Sequence, residues 1–240
     1  MADSIRLFAT QAHPCSYLPD KEATTIFIDP DYQHSQHSYS VLSEQGFRRS
    51  GDHVYKPQCQ SCNACMACRV RAHDFKPNRS QRRVFKANKD LTVSVAEQLD
   101  MERYFPLYER YINQRHSDGD MYPASQDQLE SFLTQAWGTT RYIEFSSPKK
   151  LLAVAVVDFL DDAMSAIYTF FDPEENSRSL GNLAILWQLQ YAKRLAIPWV
   201  YLGYWIKDCD KMNYKQRYQP LQIHHLGEWK DFSALPIDAI

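Results

Sequence analysis

The period of the apolar positions changes at definite points along the second half of the chain, and those changes predict its elements. Thr92 to Ala96 reads as a short strand and Met101 to His116 as a helix. Ser125 to Ala136 reads as a second helix, opened by a capping box of Ser125 and Gln128. Arg141 to Phe145, Leu151 to Phe159 and Ala163 to Phe171 are rich in β-branched and aromatic residues and are joined by short polar turns, the pattern of three strands. Leu151 to Val157 is the longest apolar run; it suits a buried strand and is far short of the roughly 20 residues that cross a membrane. A helix from about Asn182 to Leu195, ended by Pro198, leads into a strand from Trp199 to Trp205. A mixed sheet with helices on its faces satisfies this order.

The first part is more broken. Tyr39 to Gln45 predicts a short helix stopped by Gly46, and Ser80 is expected to cap a second helix over Ser80 to Lys89. Division falls near residue 90, giving a cysteine-rich basic region over 1–90 and a domain of longer periodic elements over 91–240, packed together because no linker separates them. The fold class is therefore α/β (α+β). Strand, helix, helix, three strands, helix, strand is the order of the acetyltransferase-like (GNAT) fold.

Charge sharpens the division. The net charge of -2 conceals a segment, Gly46 to Lys89, with eleven basic residues against Asp52 and Asp74, a net of +9 that leaves -11 for the remainder. Such asymmetry is expected where one face meets a polyanion. The arginines in the first turn of the second predicted helix oppose its dipole, which a docked anion would offset. The opening residues carry no basic flank followed by an apolar stretch, so no secretion signal is expected and the cytoplasm is the expected compartment.

Six cysteines include Cys59, Cys62, Cys65 and Cys68, each separated by two residues, with Cys15 upstream and Cys209 near the C-terminus. That spacing resists disulfide pairing and points to metal in a reducing compartment. Three cysteines so spaced can wrap an iron-sulfur cluster, whereas structural zinc more often uses two separated pairs; both stay open.

Six phrases in order resemble the bacterial aspartate/glutamate leucyltransferases, relatives of the eukaryotic arginyl-tRNA-protein transferases. They are HPCSYLP at 13–19, GFRRSGDHVYKP at 46–57, the cysteine run from Cys59, PNRSQRR at 77–83, YTFFDP at 168–173, and YLGYWI at 201–206 followed by KMNYK at 211–215. The resemblance spans nearly the whole chain. It implies leucyl-tRNA as donor, acceptor proteins beginning with Asp or Glu that become degradation substrates, and a GNAT-type catalytic domain. It also implies Cys15, Cys59, Cys62 and Cys65 as the metal set, leaving out Cys68, where the family is more often apolar. His13 and His53 fall within its phrases and suit ordinary hydrogen bonding.

Selecting an acidic first residue calls for a cation that a neutral side chain would leave unpaired. Arg48, Arg49, Arg79, Arg82 and Arg83 are the candidates, and with Ser50, Tyr55, Lys56, Ser80, Gln81, Lys211 and Lys215 they form the expected acceptor and tRNA contacts. The reaction is attack of an amine on an ester, which needs no cofactor. Tyr168, Asp172, Tyr201 and Tyr204, on the two strands between which a GNAT-like fold brings reactants together, are the expected positioning and proton-relay groups. Coenzyme A is not expected: its loop would end in Gly or Ala where Arg178 to Asn182 is followed by Leu183. Arginyl transfer and a non-catalytic, cysteine-knuckle RNA-binding module are the alternative readings.

Overall fold

A computed structural model describes residues 5–119 and 121–235; the opening residues read for a secretion signal lie partly outside that range. In chain order the strands are β1 (Leu7–Ala9), β2 (His13–Pro14), β3 (Glu22–Ala23), β4 (Thr25–Ile28), β5 (Arg48–Ser50), β6 (His53–Pro57) and β7 (Met66–Arg71). They continue as β8 (Thr92–Ala96), β9 (Thr140–Ser146), β10 (Leu151–Phe159), β11 (Ala163–Phe171), β12 (Trp199–Trp205), β13 (Leu221–His225) and β14 (Glu228–Asp231). The helices are α1 (Gln36–Glu44), α2 (Arg79–Ala87), α3 (Met101–Arg115), α4 (Gln126–Leu133), α5 (Leu180–Arg194) and α6 (Asp210–Asn213).

The main sheet has eight strands in the order β14-β13-β7-β12-β11-β10-β9-β8, and a smaller sheet runs β1-β4-β6-β5. Among the main-sheet pairs of the described residues only β11 and β12 are parallel. β10 is covered on both faces, which is why it reads as an unbroken apolar run. Its Ala153, Ala155 and Val157 meet α5 in one core, while Val154 and Val156 meet α3 and α4 in another. A third core joins α1 and the small sheet to Ala163 and Tyr201. β7 comes from the cysteine-rich basic region, yet it lies inside the main sheet between β12 and β13, with Met66 to Val70 buried.

Several expected boundaries shift for local reasons. The second helix is capped by Asn78, not Ser80: the Asn78 side chain accepts the Gln81 amide and the Gln81 side chain accepts the Asn78 amide, both at 2.9 Å. Two reciprocal bonds outweigh what Ser80 could offer. α1 begins three residues before Tyr39 because Ser35 and Ser38 close a capping box. Ser125 caps α4, but Gln128 does not complete the expected box; it accepts the Tyr108 hydroxyl at 3.2 Å, and the helix ends at Leu133. Gly46 stops α1 as expected, at φ +91.

Candidate active site

β11 and β12 share backbone pairing only at Ala163–Trp199, Met164–Val200 and Ser165–Tyr201, so the sheet splits beyond them. Along the split edge Ala166 to Thr169 are half-buried, where the three residues before them are buried. Opposite β10 the register passes from Val157–Ala166 to Val156–Tyr168, which leaves Ile167 as a bulge residue outside the ladder. β12 is also irregular. Strict alternation would place Tyr201 and Tyr204 on opposite faces, but the register against β7 shifts between them at Gly203. Gly203 has φ +79 with nothing within 4 Å of a built Cβ, so its backbone angle, not space, demands glycine there. Both tyrosines consequently face one guanidinium.

That guanidinium belongs to Arg48, which lies 4.6 Å from the Tyr201 ring centroid and 5.9 Å from that of Tyr204. Arg48 is 4% exposed. One terminal nitrogen, Nη1, donates to the carbonyls of Ser43 and Phe47 at 3.0 and 2.5 Å, while Nε and Nη2 are buried with no partner. A buried cation without a counter-charge costs several kcal/mol, on the order of that for any ion taken from water. Around it stand Lys56, whose Nζ donates to the Gln45 carbonyl at 2.9 Å, and Lys215, whose Nζ donates to the Tyr204 carbonyl and lies 3.3 Å from Met212 Sδ. Burial lowers the pKa of both lysines; the neighbouring Arg48 charge lowers each further, although nearby thiols partly oppose this at Lys215. Arg69 is sandwiched between Trp199 and Trp229, at 3.7 and 4.2 Å, and donates to Gln222 at 3.0 Å and to the Tyr201 hydroxyl at 3.5 Å. None of these cations makes an ion pair among the described residues. Buried cations left without counter-charge form a positive field that an anion would stabilise.

His224 reports the same field. Burial, followed by the charges of Lys56, Arg48 and Arg69, pushes it down to about 4 from 6.5. The unfolded chain therefore binds this proton first as the pH falls, so the stability held by keeping His224 neutral is complete above about 6.5 and is lost towards 4. Replacing His224 with Gln should flatten the rise of unfolding free energy with pH between those limits, measured by urea titration at several pH values; an unchanged slope contradicts this picture of the pocket.

The expected residues divide among several places. Arg48, Tyr55, Lys56, Tyr201, Tyr204 and Lys215 come together, with the Tyr204 hydroxyl donating to the carbonyls of Gly46 at 3.0 Å and Tyr55 at 3.3 Å. Arg49 turns the other way. It is committed to Asp158 through Nε at 2.5 Å and Nη2 at 2.8 Å, and also to Thr140 Oγ1 and the Leu133 carbonyl at 3.1 Å each, which leaves it no strong donor for a ligand. Ser50 pairs with His53 at the turn of the small sheet. Gln81 is spent on its cap and on the Arg217 carbonyl at 3.0 Å, whereas Arg79, Ser80, Arg82 and Arg83 are exposed on α2. Lys211 is exposed and 3.4 Å from Asp118.

Tyr168 stands across the split in an aromatic group with Tyr108, Tyr111 and Phe132, and burial holds its hydroxyl in the neutral form. Asp172 caps the turn after β11 by accepting the Glu174 amide at 3.0 Å and is paired with Lys150 at 2.8 Å. Burial would raise its pKa, but the Lys150 bond, the Glu174 amide and the Lys150 and Arg110 charges outweigh it and hold the carboxyl below its usual range. In this position it holds the turn that follows β11. Residues that sequence reasoning missed are Arg69, His224 and the tryptophans; the signal in reach was the pair of tryptophans Trp199 and Trp229, a platform that an interior arginine requires.

The cysteines are all free. Burial raises the Cys65 thiol to about 12, and the charges of Cys15, Cys59, Cys62 and Cys209 would raise it further. Cys59 and Cys62 form a backbone bridge, Cys15 Sγ accepts the Tyr17 amide at 3.5 Å, and Cys68 lies in the main core. Thiol donors suit a thiophilic metal chemically, but no group of three or more His, Cys, Asp or Glu stands ready to hold an ion among the described residues. No helix of the described residues is long and apolar enough to cross a membrane.

A mixed sheet split at its one parallel pair among the described residues, with a cluster of unpaired cations beside the split, is the layout of an acyltransferase-like fold. Residues 13–83 match the family description "Arginine-tRNA-protein transferase, N terminus" and residues 103–225 its C-terminal counterpart. The chain is 57% identical over 226 residues to an aspartate/glutamate leucyltransferase of Teredinibacter turnerae, covering 94% of this chain and 93% of that one. It is 53% identical over 225 residues to one of Pseudomonas fluorescens, covering 94% and 96%. Among solved structures, "Crystal structure of FemX" aligns with a TM-score of 0.48 at 8% identity, over 87% of this chain and 81% of that one. The chain belongs to the aspartate/glutamate leucyltransferase family.

Proposed function

We propose that the protein transfers leucine from leucyl-tRNA to the N-terminal amine of proteins that begin with Asp or Glu, which marks them for N-end rule degradation in the cytoplasm. The observation that carries this reading is Arg48, a buried guanidinium with two free donors beside the split between β11 and β12. An N-terminal Asp or Glu brings both reacting partners of the site in one residue: a carboxylate for Arg48 and an amine a few bonds away. Lys56 supports the carboxylate, and Lys215 fixes the Tyr204 carbonyl, positioning the strand beneath it.

An N-terminal amine has a pKa of roughly 7.7 to 8.0 and is partly neutral near neutral pH. Its nitrogen forms a bond to the ester carbonyl carbon, the bond from that carbon to the terminal ribose oxygen breaks, and a proton passes from nitrogen to the leaving oxygen. Holding the two reactants in attack geometry supplies much of the acceleration. Ile167, which stands outside the β10 ladder, is the residue whose backbone amide we assign to the developing oxyanion. Tyr168, whose hydroxyl makes no hydrogen bond among the described residues, relays the proton in its neutral form, and Asp172 holds the end of β11 in place. Attack on an ester by a neutral amine calls for no metal, so an iron-sulfur cluster or zinc at Cys15, Cys59, Cys62 and Cys65 would serve the N-terminal region's structure. The names of the relatives favour leucine over arginine as the group transferred.

The test is transfer of labelled leucine from leucyl-tRNA to peptides that differ only in the first residue. Asp and Glu peptides are expected to become labelled. Comparable labelling of the isosteric Asn and Gln peptides would overturn the role of the cation pocket.

A further inference from the structure

α2 faces a groove that the acceptor pocket does not use. Of about 690 Å³, it is floored by Phe85, Leu183 and Trp187 and rimmed by Arg82, Lys86 and Lys89. The Trp187 ring stacks on Tyr191 at 4.5 Å between centroids and 21° between planes, which fixes it as a rigid platform. Arg82 and Lys86 are four residues apart on one helix face and Lys89 follows two residues past the helix end; all three are exposed without an ion pair among the described residues. Arg79 and Arg83 extend the charge, and no acid occupies the first turn of α2 to suit its dipole.

The groove and the Arg48 pocket lie on opposite faces of the main sheet. Phe85 and Trp187 pack against the α5 core with Val200 and Leu202, whereas Tyr201 belongs to the core under α1 and the small sheet. A cationic rim over a flat aromatic floor matches one class of ligand, a polynucleotide: phosphates meet the lysines while an unstacked base lies against the indole. An acidic peptide would use the rim and leave the aromatic floor idle. We infer that this groove is the docking site for the acceptor arm of the donor tRNA, on the face of the main sheet opposite the Arg48 cluster. The inference rests on the aminoacyl-transfer reading for the identity of the RNA.

Fluorescence anisotropy of labelled, uncharged tRNA across a range of salt concentrations tests it on the full chain. Lys86→Glu and Lys89→Glu are each expected to weaken binding severalfold and to reduce the slope of log affinity against log salt by about one. Trp187→Leu, which keeps an apolar side chain but removes the aromatic face, should weaken binding about tenfold with the slope unchanged. In the transfer assay these variants should raise the KM for leucyl-tRNA and leave that for an Asp peptide unaltered. Wild-type affinity and slope in the two lysine variants, which alter only exposed residues, would overturn the inference. So would a loss confined to acceptor-peptide affinity. Because uncharged tRNA is the probe, the groove is judged even if the wild-type protein proves to transfer nothing, a result that would count against the catalytic reading alone.

Discussion

Replacing Arg48 with Met should abolish most transfer to Asp and Glu peptides while leaving the protein as stable as before, or more so. The side chain is buried, with Nε and Nη2 unsatisfied, so its charge is a cost to the folded state until a carboxylate arrives. Methionine removes that cost and keeps much of the packing over Tyr201 and Tyr204. Removing one partner of a buried, hydrogen-bonded charge pair costs about 2–5 kcal/mol, which is roughly 30-fold to several-thousandfold in kcat/KM. Steady-state kinetics with the peptide as the varied substrate, set beside thermal unfolding, separates the two effects. Lower stability with normal kinetics would show Arg48 to be a packing residue.

The next residue should behave in the opposite way. Arg49 and Asp158 are both fully buried, and their pair also engages Thr140, whose hydroxyl donates to Asp158 Oδ1 at 2.8 Å, and the carbonyl of Leu133 at the end of α4. Through it β5 of the small sheet is tied to β10 of the main one. Arg49→Met leaves a carboxylate buried without its partner, a loss of about 3–5 kcal/mol. For a chain of this length that lowers the unfolding midpoint by on the order of 10 °C. Asp158→Leu combined with Arg49→Met should recover much of the loss, since neither charge is then stranded. If the single variant unfolds with the wild type, the pair is not the clamp between the two sheets.

Arg48 and Arg49 also show where sequence reasoning stops. Adjacent residues of a strand point to opposite faces, so one had to meet the site and the other the interior. Which one depends on Asp158, far along the chain, and no local pattern reveals it. Elsewhere local pattern sufficed: β8, β10, β11 and β12 occupy the spans their β-branched and aromatic residues predict. β7 was hidden because an interior strand containing Cys68, Arg69 and Arg71 looks like a metal knuckle on a basic loop. The arginine is admitted by the stack of Trp199 and Trp229, from other strands. β13 and β14 went unread for a similar reason, their histidines and charges masking short alternation. Tyr201 and Tyr204 were named for their motif, but their shared face depends on the bulge at Gly203, which a spacing of three in a strand argues against. The cap at Asn78 was legible: Gln81 three residues on marks the box, and Ser80 distracted from it.

The basic segment, by contrast, divides into two groups that a count of charge merges. Arg48, Lys56 and Arg69 gather beside Tyr201 and Tyr204, while Arg82, Arg83, Lys86 and Lys89 lie on α2 and the segment that follows it, on the other face of the sheet.

The most direct measurement is transfer by the purified protein from leucyl-tRNA and arginyl-tRNA, offered separately, to peptides beginning with Asp, Glu, Asn or Ala. Leucine on the Asp and Glu peptides, with little on Asn or Ala and little arginine on any, is the predicted result; no incorporation from either tRNA, or incorporation indifferent to the charge of the first residue, would contradict it.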